Sequence, residues 1–133
     1  MIGYVTVGTN DLERSARFYD AIAAEMGVGR MMEWGSSIAW GTPGGGAGIA
    51  ATKPFDGEPA SVGNGVMVAF EAKDEAQVCR LHEVALAHGG SDEGAPGVRG
   101  GGFYAAYFRD PDGNKLNAFC MPANSGETAN GGG

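Results

Sequence analysis

The sequence predicts an α+β fold made of two βαβββ modules, on three observations. Residues 2–27 and 65–90 are copies of one pattern: with Tyr4 laid on Met67, Val5 falls on Val68, Asp11 on Asp74, Arg17 on Arg80, Ala24 on Ala87 and Gly27 on Gly90. In each copy an apolar or β-branched run leads to a polar helix start, an amphipathic helix and a glycine stop. Farther along, Pro43 of Trp40-Gly41-Thr42-Pro43-Gly44 matches Pro111 of Phe108-Arg109-Asp110-Pro111-Asp112 at a wider spacing. The second copy therefore carries extra residues, and the glycine-rich stretch 94–102 is the natural place for them.

The elements follow in order. Residues 2–7 read as a strand, with Val5 and Val7 on one face and Tyr4 and Thr6 on the other. Asn10 is expected to cap the first helix, with Glu13 completing a capping box. Leu12, Ala16, Tyr19, Ile22, Ala23 and Met26 recur at helical spacing and give one apolar stripe to lay on a sheet. Gly27 ends that helix, and strands are expected around 30–34, 36–40 and 47–52, where apolar residues alternate between glycine and proline breaks. The polar segment 54–63 links the copies.

In the second copy, 65–72 is the strand and 74–88 the helix, with Val78, Leu81, Val84 and Ala85 inward and Gly89-Gly90 as its stop. Beyond the glycine-rich loop, 103–109 and 115–121 form a hairpin around Asp110-Pro111-Asp112-Gly113-Asn114. A turn accounts for that pentapeptide: Pro presets one dihedral, Gly supplies positive φ, and the Asp and Asn side chains bond the local backbone. Trp40 and Phe108, which occupy matching places, are expected to pack under the helices. The modules are thus 1–53 and 64–122, and 123–133 is a flexible glycine-rich tail with nothing apolar to bury.

Bulk properties exclude several roles. A chain of 133 residues is one domain, and its formal charge of −7 with no cluster of Lys and Arg argues against a nucleic-acid partner. No apolar run approaches the roughly 20 residues a spanning helix needs, and no signal-like segment opens the chain. A cytoplasmic protein without a membrane partner is expected. Cys79 and Cys120 lie in no C-x-x-C pair and are expected to be buried thiols. His82 and His88 stand six apart (88 − 82), which does not place two imidazoles on one helical face for a metal. His82 is expected to pack, and His88 to meet the dipole at a helix C-terminus.

The paired βαβββ units, the helix that begins Asn10-Asp11-Leu12 and runs through Phe18-Tyr19, and Tyr107-Phe108-Arg109-Asp110-Pro111-Asp112-Gly113-Asn114 on the last hairpin together resemble the vicinal oxygen chelate superfamily over residues 1–122. That superfamily includes glyoxalase I, bleomycin-resistance proteins, fosfomycin-resistance enzymes and extradiol dioxygenases. The resemblance implies that the modules curl into one open, cup-shaped mixed sheet with both helices outside. In catalytic relatives a divalent metal sits at the base of the cup. The positions of its ligands correspond here to Tyr4, Met67, Asn117 and a residue near Ile49 or Ala50, so every expected ligand is missing. A phenol, a thioether, an amide and an aliphatic carbon make no credible site for a hard or borderline divalent ion, and no metal or other cofactor is expected.

What remains in the cup can still bind. Strand parity turns Tyr4, Thr6, Met67, Ala69, Asn117 and Phe119 toward the cavity, with Phe103, Ala105 and Tyr107 beside them. An aromatic-lined hollow with a few polar groups suits a small amphipathic or aromatic molecule. Its charge stays open: the acidic chain suits a cation, whereas Lys53, Arg99 and Arg109 suit an acid. Should there be chemistry, Tyr4 is the candidate acid and Asn117 the candidate orienting group, and no residue is an evident base. The alternatives are a metal-dependent lyase or dioxygenase resembling lactoylglutathione lyase with an atypical ligand set, and a non-catalytic association module. A homodimer is expected because module edges are exposed.

Overall fold

A computed structural model of the protein describes residues 1–121, and the expected tail at 123–133 lies outside them. The first module runs β1 (Tyr4–Gly8), α1 (Leu12–Glu25), β2 (Gly29–Trp34), β3 (Ser37–Gly41) and β4 (Gly48–Thr52). The second runs β5 (Val68–Glu71), α2 (Glu75–Ala87), β6 (Ser91–Val98), a 3-10 turn at Gly100–Gly102, β7 (Tyr104–Arg109) and β8 (Lys115–Cys120). Each module is a four-stranded sheet, ordered β1-β4-β3-β2 in one and β5-β8-β7-β6 in the other. The first and last strands of a module pair in parallel and the other pairs are antiparallel. A parallel pair requires a crossover connection, which the helix and intervening hairpin supply. The architecture is the α+β pair of βαβββ modules that the repeat predicts, with the two sheets open rather than closed into a barrel. Among the described residues no helix is long and apolar enough to cross a membrane.

Alternation along the strands sets the core. Val7, Ile38, Trp40, Ile49 and Ala51 face α1, while Ala106, Phe108, Leu116 and Ala118 face α2. Phe18, Tyr19 and Ile22 of α1 and Val78, Leu81 and Ala85 of α2 join these strands in one buried cluster spanning both modules. Trp40 and Phe108 are both buried beneath the helices, as their matching places suggest. His82 packs edge-on to Phe108, with ring centroids 6.3 Å apart, and also bonds the Asp92 carboxylate at 2.8 Å. His88 caps α2 and holds the Val84 carbonyl at 2.8 Å. Both cysteines are free; Cys120 is buried, but Cys79 is only half-buried, 3.6 Å from the Tyr104 hydroxyl.

Two local expectations are corrected. The N-cap of α1 is Asp11, whose carboxylate accepts the Arg14 N–H at 3.0 Å, not Asn10. Asn10 is occupied elsewhere: its side-chain oxygen accepts the Ala60 N–H and its own N–H donates to Asp112, so no capping box forms with Glu13. Asp74, which the repeat lays on Asp11, caps α2 in the same way through the Gln77 N–H. The second correction is β6, an eight-residue strand where a glycine-rich loop is expected. Pro96 and the glycines hide it, because an edge strand with two register shifts carries residues that a central strand rejects. Gly94 has a reason to be glycine, since a Cβ there would stand 3.2 Å from the Tyr107 ring.

The pentapeptide turn is more than a turn. Asp110, only 3% exposed, accepts the N–H groups of Asp112 and Asn114 on one oxygen and the Tyr19 hydroxyl at 2.7 Å on the other. The Asn114 amide also reaches the Gly8 carbonyl at the end of β1. Asp112 accepts both the Asn10 N–H and the Arg14 guanidinium, at 2.9 and 2.8 Å. One turn of the second module thus grips the β1–α1 junction of the first. Burial, and then the Asp110 carboxylate beside it, hold the Tyr19 hydroxyl well above its ordinary value of 10.0.

Candidate functional site

Each sheet presents to its helix the strand face that carries Val5 and Val7, or Val68 and Phe70, and leaves the opposite face free. On that free face the second sheet gathers most of the residues that parity singles out. The register sets Ala69, Asn117 and Tyr107 side by side across three strands, and Glu71, Phe119 and Ala105 in the next row. Phe103 meets Phe119 edge-on, with centroids 6.5 Å apart. Arg99 and Lys115 both lie over the Tyr107 ring, at 5.3 and 5.6 Å from its centroid.

Asn117 is the exceptional member of this row. It is 3% exposed, and its side-chain oxygen has no hydrogen-bond partner among the described residues. A buried amide oxygen left unpaired costs about 1 to 3 kcal/mol, so such a group in a folded protein calls for an explanation.

The first sheet's free face is separate. Tyr4 is 58% exposed there and Thr6 is exposed beside it, while no strand of one sheet bonds to a strand of the other. The second sheet therefore brings together Ala69, Phe103, Tyr107, Asn117 and Phe119, and leaves Tyr4 and Thr6 across the molecule's other sheet. Met67, just before β5, stands instead with Val68 and Ala69 on a crevice of about 570 Å³ between the modules. Val5, Ile22, Met26, Trp40 and Ile49 form its opposite wall. Parity gives no sign of this crevice, because residues from both faces of β5 line it together with residues of the packed core. Its inner polar groups are already engaged: Tyr19 donates to Asp110 and the Trp40 indole to Asp20. It can shelter an apolar body but offers those groups no free role in orienting one.

The donors do not fit a divalent metal. Tyr4 and Met67 stand on different modules, Ile49 faces the core, and Ala50 and Asn117 complete the set with a methyl and an amide. Among the described residues no three His, Cys, Asp or Glu side chains come together in a way that could hold an ion.

Residues 1–118 match the family model described as Glyoxalase/Bleomycin resistance protein/Dioxygenase superfamily. The chain belongs to that superfamily. A glyoxalase/bleomycin resistance protein from Albidiferax ferrireducens T118 is 39% identical, with a TM-score of 0.85 over 92% of this chain and 99% of that one. A glyoxalase-related enzyme from Fulvimarina pelagi is 25% identical, with a TM-score of 0.74 over 92% and 88% of the two chains. Lactoylglutathione lyase from Agrobacterium tumefaciens shares the superfamily fold, at 21% identity and a TM-score of 0.66 over 90% and 92%. No curated protein matches the chain.

Proposed function

We propose that this superfamily member binds a small amphipathic or aromatic molecule, without a metal, on the free face of its second sheet. The observation that carries this reading is the buried, unpaired Asn117 oxygen in one row with Tyr107 and Ala69. Asn117 orients the ligand, Tyr107 and the Phe103–Phe119 pair supply aromatic surface, and Ala69 and Ala105 leave room beside the amide. A ligand that binds only the folded protein raises its melting temperature by mass action. Across a panel of metabolites and antibiotics, at least one compound is expected to do so, and Asn117→Ala should weaken its binding by about 1 to 3 kcal/mol. A panel without a single shift would sink the reading.

The absence of fitting donors carries a second expectation: protein purified without chelator contains no stoichiometric nickel, zinc, iron or manganese. Elemental analysis giving one equivalent per chain, lost on substitution of a residue on the free faces, would return the protein to the metal-dependent lyases or dioxygenases.

A homodimer is the third part of the proposal. β1 and β5 each have one unpaired edge, and the exposed side chains of Tyr4, Val66 and Met67 lie along or beside those edges. Unpaired edges flanked by apolar groups are covered in most folded proteins, and a second copy would turn two flat faces into walls of an enclosed cup. Light scattering is expected to give twice the 13.6 kDa chain mass; a monomer at micromolar concentration would contradict it.

A further inference from the structure

The asparagine at the junction of the modules carries chemistry that the ligand site does not use. Asn10, Asn64, Asn114 and Asn117 lie among the described residues. The Asn10 side chain is bound to Ala60, and the next N–H, that of Asp11, donates to the Thr9 hydroxyl. Asn114 donates to the Gly8 carbonyl and the Asp110 carboxylate, and Lys115 after it opens β8. Asn117 is buried inside β8, a strand paired on both sides. Asn64 differs from all three. It is exposed, glycine follows it, and neither its amide nor the Gly65 N–H is hydrogen-bonded among the described residues.

We propose that Asn64 is a site of spontaneous covalent modification, at which the Gly65 backbone nitrogen closes a cyclic imide on the Asn64 side chain and water opens it to aspartate and isoaspartate. The bond from the Gly65 nitrogen to Asn64 Cγ forms, the Cγ–Nδ2 bond breaks, and ammonia leaves with the proton that the Gly65 nitrogen gives up. Water then adds to one of the two ring carbonyls. Opening at the side-chain carbonyl gives aspartate; opening at the main-chain carbonyl gives isoaspartate. No oxidant or reductant takes part.

The local structure leaves this path open. Residues 61–67 are all exposed, and one bond, from the Val66 N–H to the Gly63 carbonyl at 3.2 Å, closes the turn around Asn64 and Gly65. Gly65 has φ of 89° and no side chain to crowd its nitrogen, and a Cβ built there would meet nothing within 4 Å. A reaction between neighbouring groups of one chain draws its rate from proximity, and it slows where hydrogen bonds or a strand ladder hold those groups out of line. Such restraints act on Asn10, Asn114 and Asn117 and spare Asn64. Each event adds a negative charge to a chain already at −7. Isoaspartate also lengthens the backbone just ahead of Val68, where β5 begins to pair with β8.

The test incubates the full native chain at neutral and mildly alkaline pH in water enriched in heavy oxygen. Peptide mass spectrometry then follows each asparagine, with fragmentation that separates isoaspartate from aspartate. Asn64 is expected to lose its amide at least about tenfold faster than Asn10, Asn114 or Asn117. It should take up heavy oxygen, yield both products, and react faster at the higher pH, because the Gly65 nitrogen attacks once its proton is gone. Asn64→Gln, which would have to close a larger ring, should keep its amide over the same period. Chain unfolded in denaturant supplies the reference: Asn64 should react there no more than about tenfold faster than in the native protein. The other Asn-Gly pair of the sequence, Asn130-Gly131, lies outside the described residues and is read from its own peptide. A native chain that keeps Asn64 intact while the unfolded chain converts it would overturn the proposal. So would equal rates at Asn64 and Asn114 in the native chain. Aspartate formed without isoaspartate would overturn the cyclic route.

Discussion

Asp110→Ala is expected to destabilise the protein by about 3 to 5 kcal/mol, the loss that follows when a buried, hydrogen-bonded charge is removed and its partners are left behind. The carboxylate is buried, and four donors depend on it: the Asp112 and Asn114 N–H groups, the Asn114 amide and the Tyr19 hydroxyl. Because Tyr19 belongs to α1 and the turn to the second module, the loss also loosens the joint between modules. Tyr19→Phe removes one of these bonds and should cost less, about 1 to 2 kcal/mol. It carries a second signature. The hydroxyl titrates higher in the fold than the ordinary 10.0, so its contribution is full below that pH and declines as pH rises toward the folded value. Alkaline loss of stability should therefore be shallower in Tyr19→Phe than in the native chain. Denaturant titrations at neutral and alkaline pH check both, and an Asp110→Ala protein as stable as the native one would refute the role of the joint.

Gly90→Ala should destabilise by about 3 kcal/mol or more, at the upper end of what overpacking costs. A Cβ at Gly90 would stand 2.6 Å from the Arg109 carbonyl oxygen, 2.7 Å from that of Ala85 and 3.0 Å from the Phe18 ring. Two of these atoms are backbone, one at the end of β7 and one in α2, so neither can yield without moving its element. The adjacent Gly89→Ala makes an instructive comparison. Gly89 has φ of 96° and its nearest neighbour is the Pro111 side chain, so its cost is the left-handed backbone, about 1 to 2 kcal/mol. A thermal or denaturant melt in which Gly90→Ala is the milder of the two would contradict this account.

Both predictions separate what is local from what is not. The strand parity of β1, β5, β7 and β8, the inward stripes of both helices and the matching roles of Trp40 and Phe108 are all legible in the sequence, because burial of one face imposes a period that residue types record. Asp11 was legible too, through its match to Asp74, but Asn10 looked the better cap to a local rule that could not know of Ala60 and Asp112. The strand β6 escaped because its bulges and edge position remove the periodicity that marks a strand. Within the candidate site, parity indicates Asn117 and Tyr107, whereas Arg99 and Lys115 come to lie over the Tyr107 ring only through the register of β7 and β8 and the bulged course of β6.

The sequence alone determined the duplicated βαβββ architecture and the superfamily pattern, since each depends on residue types at fixed spacings along the chain. Tertiary structure decided three other things: the turn at Asp110 is a joint, Gly90 is held by close approach rather than by a turn, and the Asn117 side-chain oxygen is buried without a partner among the described residues. These are contacts between residues far apart in sequence. Their energies depend on distances of a few ångströms that only the packing of one module against the other, and of one strand against its neighbour, can set.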